Sequence, residues 1–377
     1  MKYRKTRNKT GKHCLYFVHT ESKSAFGKLK TSECPFQDSE SLNSLKYFYP
    51  RLFLYQMNYL IIMPILRSRF LVNLWLAFVL LLLSSCGQKE TPQSVPLKPR
   101  IVTSFFPLYD FACNLGGEDF EVLCLTPPGG DPHAMKATPK AAQSVADCQL
   151  AVFLGFGLDG WMEKLTKSEP QVKVMAVGQG FNSQVNAHFL LPEPVGKDTQ
   201  LHENKIDPHV WLDPMIAKDI VNRLADEMAA IAPFHRKSVL ARRDTFLGDL
   251  QKLHEAFSTN LTDVDRREVV TFHGAFAYLF KRYQLETVGV VEKFPGDEPS
   301  ANYLRQLVEL MRRLKMKVIF AEPQLPDRPA KIIAQEIGGR VERLDPCETI
   351  LPHAPHASYL DRQRANLETL VRVLKEY

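Results

Sequence analysis

Short apolar runs alternate with helical patterns from residue 100 onward, and this alternation restricts the fold more than any other feature of the chain. In the first series the apolar runs predict strands over Arg100–Ser104, Phe120–Leu125, Gln149–Leu154 and Lys173–Val177. The segments between them predict helices near Pro107–Leu115, Pro139–Ala146 and Leu158–Leu165. Such an alternation is typical of an α/β fold with a mostly parallel sheet that helices cover on both faces.

A second series of the same kind follows the middle of the chain. Its short β-branched runs predict strands over Glu268–Phe272, Glu286–Val291, Lys317–Ala321 and Arg340–Leu344. Its helices are predicted near Ala275–Tyr283, Ser300–Leu314 and Arg328–Ile337. The sequence therefore predicts two similar α/β lobes, each with a mostly parallel sheet flanked by helices.

A long helical stretch separates the two series. Apolar residues recur every three or four positions in Met215–Ile231 and again in Phe234–Phe257, and Pro233 divides them because proline starts helices but breaks their interiors. At ~1.5 Å per residue the second helix is ~36 Å long, enough to connect both sheets. An ordinary core helix of the first lobe fits the same periodicity. We expect an N-terminal lobe over residues 99–232, a linking helix over 233–260 and a C-terminal lobe over 261–377.

An apolar run before the first series has the order of parts of a secretion signal. Residues 70–83 are apolar except for Asn73, arginines precede them, and Ser84-Ser85-Cys86 follows. At 14 residues the run covers only about two-thirds of a ~30 Å hydrocarbon core, so an export signal is favoured over a spanning helix. Its end resembles the lipobox of bacterial lipoproteins, which implies lipidation of Cys86; an incidental cysteine beyond an ordinary cleavage site is the alternative. We expect a leader over residues 1–85, a tether over 86–98 and an exported protein.

The basic charge of the chain is concentrated in this leader. Residues 1–85 hold 13 of the 48 Lys+Arg and 4 of the 42 Asp+Glu, so the remainder holds 35 and 38 and is slightly acidic. The charge of the chain after the leader therefore gives no electrostatic support to the hypothesis that the protein binds nucleic acid. Residues 1–56 show no sustained period, and we expect translation to begin at Met57 or Met63.

Potential metal ligands stand at strand ends or in loops of both series: His133, His209, His273 and Asp345. Side chains that follow parallel strands gather at one edge of an open sheet, so residues of two facing sheets can share the cleft between them. His133 and His209 each follow Asp-Pro, which holds the histidine on a defined turn. Three imidazoles and one carboxylate are donors that zinc accepts tetrahedrally at ~2.0–2.2 Å. Considered singly, each histidine is better explained by a solvated or hydrogen-bonded structural role than by metal binding.

Six segments resemble the metal-binding solute-binding lipoproteins of zinc and manganese ABC transporters. They begin at Ile101, Pro127, Asp207, Thr271, Phe320 and Leu344 and read IVTSFFPLYD, PPGGDPH, DPHVWLDP, TFHGAFAYL, FAEPQ and LDP. The resemblance implies two α/β lobes joined by a long backbone helix, with the metal in the cleft between them. It further implies that the first lobe supplies His133 and His209 and the second supplies His273 and Asp345. Because metal-bound imidazoles commonly donate to a carboxylate, Glu322 in the Glu-Pro-Gln segment is implied as such a partner.

The third ligand position separates the metals of this family. Manganese members usually carry glutamate where this chain has His273, whereas zinc members usually carry histidine. An imidazole favours zinc over the harder manganese. The resemblance thus implies a lipid-anchored receptor that captures Zn2+, with Mn2+ or iron as the alternative, and delivers it to an ABC permease with its cytoplasmic ATPase. We expect a monomer that is not an enzyme.

Two functions of a different class remain as alternative hypotheses. An exported zinc hydrolase could use similar ligands, but it needs a position for water and a general base, and the chain has no HExxH motif. A surface adhesin is neither supported nor excluded. The sequence also leaves open the roles of His188, His202, His353 and His356 and the pairing of Cys113, Cys124, Cys148 and Cys347.

Overall fold

The computed structural model describes residues 4–7, 13–16, 98–181, 206–292, 299–324 and 328–376. In the N-terminal part, β1 (Arg4–Arg7) and β2 (His13–Tyr16) pair antiparallel. The predicted signal at 70–83, the predicted lipidation site Cys86, the start sites Met57 and Met63, and the histidines His188 and His202 lie outside the described residues. None of the helices within the described ranges is long and apolar enough to cross a bilayer.

Within residues 98–181 the first lobe holds a four-stranded parallel sheet. Its strands are β3 (Arg100–Thr103), β4 (Glu121–Cys124), β5 (Leu150–Phe153) and β6 (Lys173–Ala176), in the order β4-β3-β5-β6. Its helices are α1 (Phe106–Gly116), α2 (Pro139–Ala146) and α3 (Gly160–Lys167). Successive strand residues point to opposite faces, so Ile101 packs with α1 whereas Val102 packs with α2 and α3. Helices thus cover both faces of this sheet.

The second lobe repeats this plan in its described residues, with a four-stranded parallel sheet. Its strands are β7 (Glu268–His273), β8 (Glu286–Glu292), β9 (Val318–Ala321) and β10 (Arg340–Arg343), in the order β10-β9-β7-β8. Helices α6 (Ala277–Arg282), α7 (Ala301–Arg313) and α8 (Arg328–Glu336) belong to this lobe. Val270 and Ile319 pack with α7 and α8, whereas Val269 and Val318 join the main core on the other face.

Two helices fill the stretch between the sheets. They are α4 (Pro214–Ile231) and α5 (Arg236–Asn260), and a 3-10 turn that begins at Pro233 separates them, as predicted. The apolar stripe of α5 is buried and consists of Val239, Phe246, Leu250, Leu253 and Phe257. Burial of such a stripe stabilises a helix of this length more than its intrinsic propensity does.

The last helix, α9 (Tyr359–Leu374), connects the two lobes through a common core. The rings of Tyr359 and Phe111 lie 5.0 Å apart, and the Tyr359 hydroxyl donates to the Trp211 carbonyl oxygen at 2.6 Å. Helix α5 contacts α1 and α4 of the first lobe and also α9. The predicted fold of two parallel-sheet lobes and a long helix is confirmed, while the lobe boundaries remain predictions.

Candidate metal centre

The three predicted histidines converge where strand ends of both lobes meet. His133 lies in the loop after β4, His209 directly precedes the 3-10 turn Val210–Leu212, and His273 ends β7. Ring centroids are 5.3 Å apart for His133 and His209, 4.9 Å for His209 and His273, and 5.6 Å for His133 and His273. One ring nitrogen of each lies within 4.8 Å of the other two, so they can share one ion.

An Asp-Pro turn presents two of these histidines. Asp131 Oδ1 accepts the backbone N–H of His133 at 2.8 Å, and Asp207 Oδ1 accepts that of His209 at 3.0 Å. In each turn proline restricts the aspartate backbone and the carboxylate closes the turn two residues later. The aspartate therefore builds the turn, and the residue after proline points to the centre.

Asp345, the predicted carboxylate ligand, is not placed with the histidines. Its carboxylate accepts from Arg362 Nε at 2.6 Å and Nη2 at 2.5 Å, and Oδ1 also accepts the backbone N–H of Cys347 at 2.8 Å. It is absent from the clusters of possible metal ligands among the described residues. Asp345 closes a third Asp-Pro turn and is satisfied by an arginine, so the structure gives it the role of Asp131 and Asp207 instead.

Glu348, three residues later, is the carboxylate that meets the histidines. It is 2% exposed, and its Oε1 lies 3.0 Å from His209 Nε2 and 3.4 Å from His133 Nε2. Burial raises its pKa, but contacts with the two imidazoles outweigh burial and hold the pKa well below its usual range, so the group is ionised. Sequence reasoning missed Glu348, because the Asp-Pro pattern by itself indicates the residue after proline, which in the third turn is Cys347.

The remaining polar atoms orient the rings. His209 Nδ1 contacts Asp207 at 2.6 Å, and His273 Nδ1 contacts Glu322 Oε1 at 2.8 Å, where the sequence predicted a carboxylate partner. Gln324 Nε2 donates to Glu322 Oε2 at 2.9 Å and lies 3.5 Å from Glu348 Oε2. In His209 and His273 the contact at Nδ1 leaves Nε2 for an ion.

The electrostatics of the centre favour a cation. Burial lowers the pKa of His209, but Asp207 and Glu348 outweigh it and raise the pKa to about 10. For His273 burial is likewise outweighed, mainly by Glu322, and the pKa is raised. His209 Nε2 is buried and not aligned for a hydrogen bond despite its short distance to the carboxylate. The same negative field that holds protons on the rings would stabilise a divalent cation bound to their neutral forms.

Several other residues singled out in the sequence lie apart from this centre. His353 and His356 are exposed and belong to neither ligand cluster found in the described part of the chain. A second cluster, of Asp131, His133 and Glu348, overlaps the first. The cysteines after the leader, Cys113, Cys124, Cys148 and Cys347, are free thiols.

The family described as ZnuA, zinc-uptake complex component A, periplasmic, matches residues 101–373. The chain belongs to this family. The high-affinity zinc uptake system protein ZnuA of Bacillus subtilis is 28% identical over 310 residues, which cover 78% of this chain and 94% of the relative. The zinc-binding lipoprotein AdcA of Streptococcus pneumoniae (R6) is 27% identical over 298 residues, 77% of this chain and 58% of the relative, so the chain spans little more than half of that protein.

Solved structures agree with this membership. The Zn(II)-bound ZnuA-like domain of S. pneumoniae AdcA superposes with a TM-score of 0.62 at 26% identity, covering 74% of this chain and all of the domain. The laminin-binding protein Lmb of Streptococcus agalactiae, described as bifunctional with adhesin and metal-transporting activity, gives 0.62 at 27% identity with 74% and 100% coverage. The family predicted from the six sequence segments is therefore confirmed. These names refer to zinc uptake, metal transport and binding, and none to a catalysed reaction.

Proposed function

We propose that this protein is an extracytoplasmic receptor that binds Zn2+ and delivers it to the permease of an ABC importer, which a cytoplasmic ATPase drives. The proposed ligands are His133, His209, His273 and Glu348. The observation that carries the proposal is the convergence of three imidazoles and one buried, ionised carboxylate between two lobes. Membership in the zinc-uptake family supports the assignment of the cargo.

The donor set favours zinc over manganese. Three nitrogen donors and one oxygen donor form a four-coordinate site of the kind that zinc prefers, whereas manganese prefers more oxygen donors. His273 is the position that decides between these metals, because a carboxylate there would give two oxygens. Cu2+ binds nitrogen sites more tightly in principle, so metal availability outside the cell contributes to selectivity.

Capture rather than catalysis fits the proposed coordination. Four protein donors complete the tetrahedral shell of zinc, whereas a zinc hydrolase keeps one position for water. The relatives are named for zinc uptake and zinc binding. A hydrolytic activity that survives extensive purification and disappears in His273→Ala would contradict this conclusion.

We further propose that Cys86 carries the lipid anchor of the mature protein. A diacylglyceryl group supplies two acyl chains, enough to hold a soluble receptor at a membrane, and the tether over residues 86–98 would join it to the first lobe. Mass spectrometry of the mature N-terminus tests this directly. A first residue other than a lipid-modified Cys86 would reject it.

Metal analysis of the full chain beside single variants tests the ligand set. Wild-type protein that has been stripped and reloaded should hold near-stoichiometric zinc, and His133→Ala, His209→Ala, His273→Ala and Glu348→Ala should each lose most of it. Cellular uptake of radioactive zinc, in a strain with the cognate permease, should fall in parallel. Full zinc loading in all four variants would reject the site, and intact zinc uptake without the protein would reject the transport role.

A further inference from the structure

The segment that carries Glu348 follows the last strand of the second lobe, yet it is attached to the first. In this 345–350 segment, the Pro346 carbonyl oxygen accepts from the indole N–H of Trp211 at 2.8 Å. The Ile350 carbonyl oxygen accepts from the Gly129 N–H at 2.9 Å, and the Glu348 carbonyl oxygen faces the Phe106 N–H at 3.4 Å. All three donors belong to the first lobe.

Arg362 of α9 holds both ends of the 345–350 segment. Its guanidinium binds the Asp345 carboxylate through two hydrogen bonds, of 2.6 and 2.5 Å, and donates from Nη1 to the Thr349 carbonyl oxygen at 2.7 Å. The same guanidinium lies 4.6 Å from the ring centroid of Phe106. The Arg362 side chain is only 4% exposed, so these bonds act in a desolvated environment where charge-assisted hydrogen bonds are strong.

The backbone between these attachment points is strained. Cys347 has φ of 59°, the left-handed region that non-glycine residues rarely adopt. Such a conformation persists only when surrounding contacts impose it. Asn366 adds to the restraint, because its side chain accepts the Asp345 N–H at 2.8 Å and donates to the Asp345 carbonyl oxygen at 2.7 Å. Glu348 therefore owes its position to bonds made by its neighbours.

We propose that Arg362 is a positioning residue for Glu348. By holding both ends of the 345–350 segment in the conformation that bonds to the first lobe, it makes His133, His209 and Glu348 a preassembled set of three donors, to which the second lobe adds only His273. Zinc then meets three donors whose mutual geometry does not depend on the arrangement of the lobes. The inference rests on the proposed zinc site. It assigns part of the zinc affinity of that site to Arg362, a residue that does not touch the metal.

A double-mutant cycle on the full chain tests this proposal, with zinc affinity measured by competition with a chromogenic chelator. Arg362→Gln should weaken zinc binding about 10- to 100-fold, the usual cost of losing an outer-sphere partner. In the Glu348→Gln background the same change should cost less than about threefold, because its target is no longer a ligand. Arg242→Gln is the matched control: Arg242 binds the Asp119 carboxylate and the Leu115 and Gly116 carbonyl oxygens at the far end of the first lobe.

The spectrum of bound Co2+ gives a second readout that general destabilisation does not move. Intense visible bands indicate four-coordination, and Arg362→Gln should weaken them whereas Arg242→Gln should not. If Arg362→Gln does not fold, Arg362→Lys, which keeps the charge but not the double bond to Asp345, replaces it in the cycle. Equal zinc losses in both Glu348 backgrounds, or an equal loss in Arg242→Gln, overturn the inference. Wild-type protein that binds no zinc overturns the proposed function instead.

Discussion

Replacing Glu348 by glutamine distinguishes the two candidate carboxylates of the site. Glu348→Gln keeps the shape of a side chain that is 2% exposed but removes its charge from beside His209 and His133. Opposite unit charges ~4 Å apart at an effective dielectric of ~20 attract by ~4 kcal/mol, which corresponds to about three orders of magnitude in affinity. The variant also avoids the desolvation cost of a buried ionised carboxylate, and this offsets part of the lost attraction. We therefore expect zinc affinity to fall about 10²- to 10³-fold.

The assay compares Glu348→Gln with Asp345→Asn in the same chelator competition. Asparagine keeps an oxygen that can accept the Cys347 N–H and one bond from Arg362, so Asp345→Asn should lose at most about tenfold, and its Co2+ spectrum should stay four-coordinate. Circular dichroism and melting temperature establish that both variants are folded. A folded Glu348→Gln with wild-type affinity, beside a strong loss in Asp345→Asn, would refute the reasoning and restore Asp345 as the ligand.

Three further outcomes follow from the described geometry. The pKa of about 10 for His209 means that zinc displaces a proton, so affinity should rise by up to about tenfold per pH unit between about pH 6 and 9; an unchanged affinity in calorimetric titrations contradicts this. Leu250→Ala, in the buried stripe of α5, should lower the free energy of unfolding by about 2–5 kcal/mol in urea without changing zinc stoichiometry; a loss below about 1 kcal/mol contradicts the packing argument. Hydrogen bonds from Arg372 lower the pKa of Glu342 from 4.5 to about 2, so this group stabilises the fold above pH 4.5 and loses that contribution as pH falls towards 2. Glu342→Gln should therefore melt below wild type at neutral pH and level with it near pH 2; a constant difference in melting temperature contradicts the assignment.

The sequence located the eight strands described in the two lobes to within one residue at each end because their signal is local, but it did not predict β1 and β2. The buried strands β5 and β9 are short apolar runs, because burial of both faces of a parallel sheet keeps such runs apolar, whereas the edge strand β10 reads RVER and is more exposed. The common core was not predictable in this way. Tyr359 contacts Phe111 and Trp211, which are far from it in the chain. The spacing of apolar residues in α9 does not indicate against which lobe the helix packs.

The position of the histidines after predicted strands or Asp-Pro turns made them candidates, and the resemblance to the metal-binding family selected them from the other histidines. Asp345 matched the same rule, since it follows the last predicted strand. Its actual partner, Arg362, lies 17 residues later on α9, and that pairing depends on how the helix packs. Sequence position specified the neighbourhood of the carboxylate but not which of two nearby acids faces the centre.

The three Asp-Pro turns share the same backbone hydrogen bond to the aspartate but present different side chains to the candidate metal centre. In the first two turns the residue after proline, His133 or His209, is a proposed metal ligand; in the third, that place is occupied by Cys347. Burial raises the pKa of the Cys347 thiol well above its usual range, and Sγ lies 3.6 Å from the Asp345 carbonyl oxygen, so the thiol stays protonated and directed into its own turn. The left-handed conformation of Cys347 turns the chain so that the next residue, Glu348, faces the histidines. A hard oxygen thus takes the place that a soft thiolate could have held, and this shift by one residue gives the proposed centre three nitrogen donors and one oxygen donor.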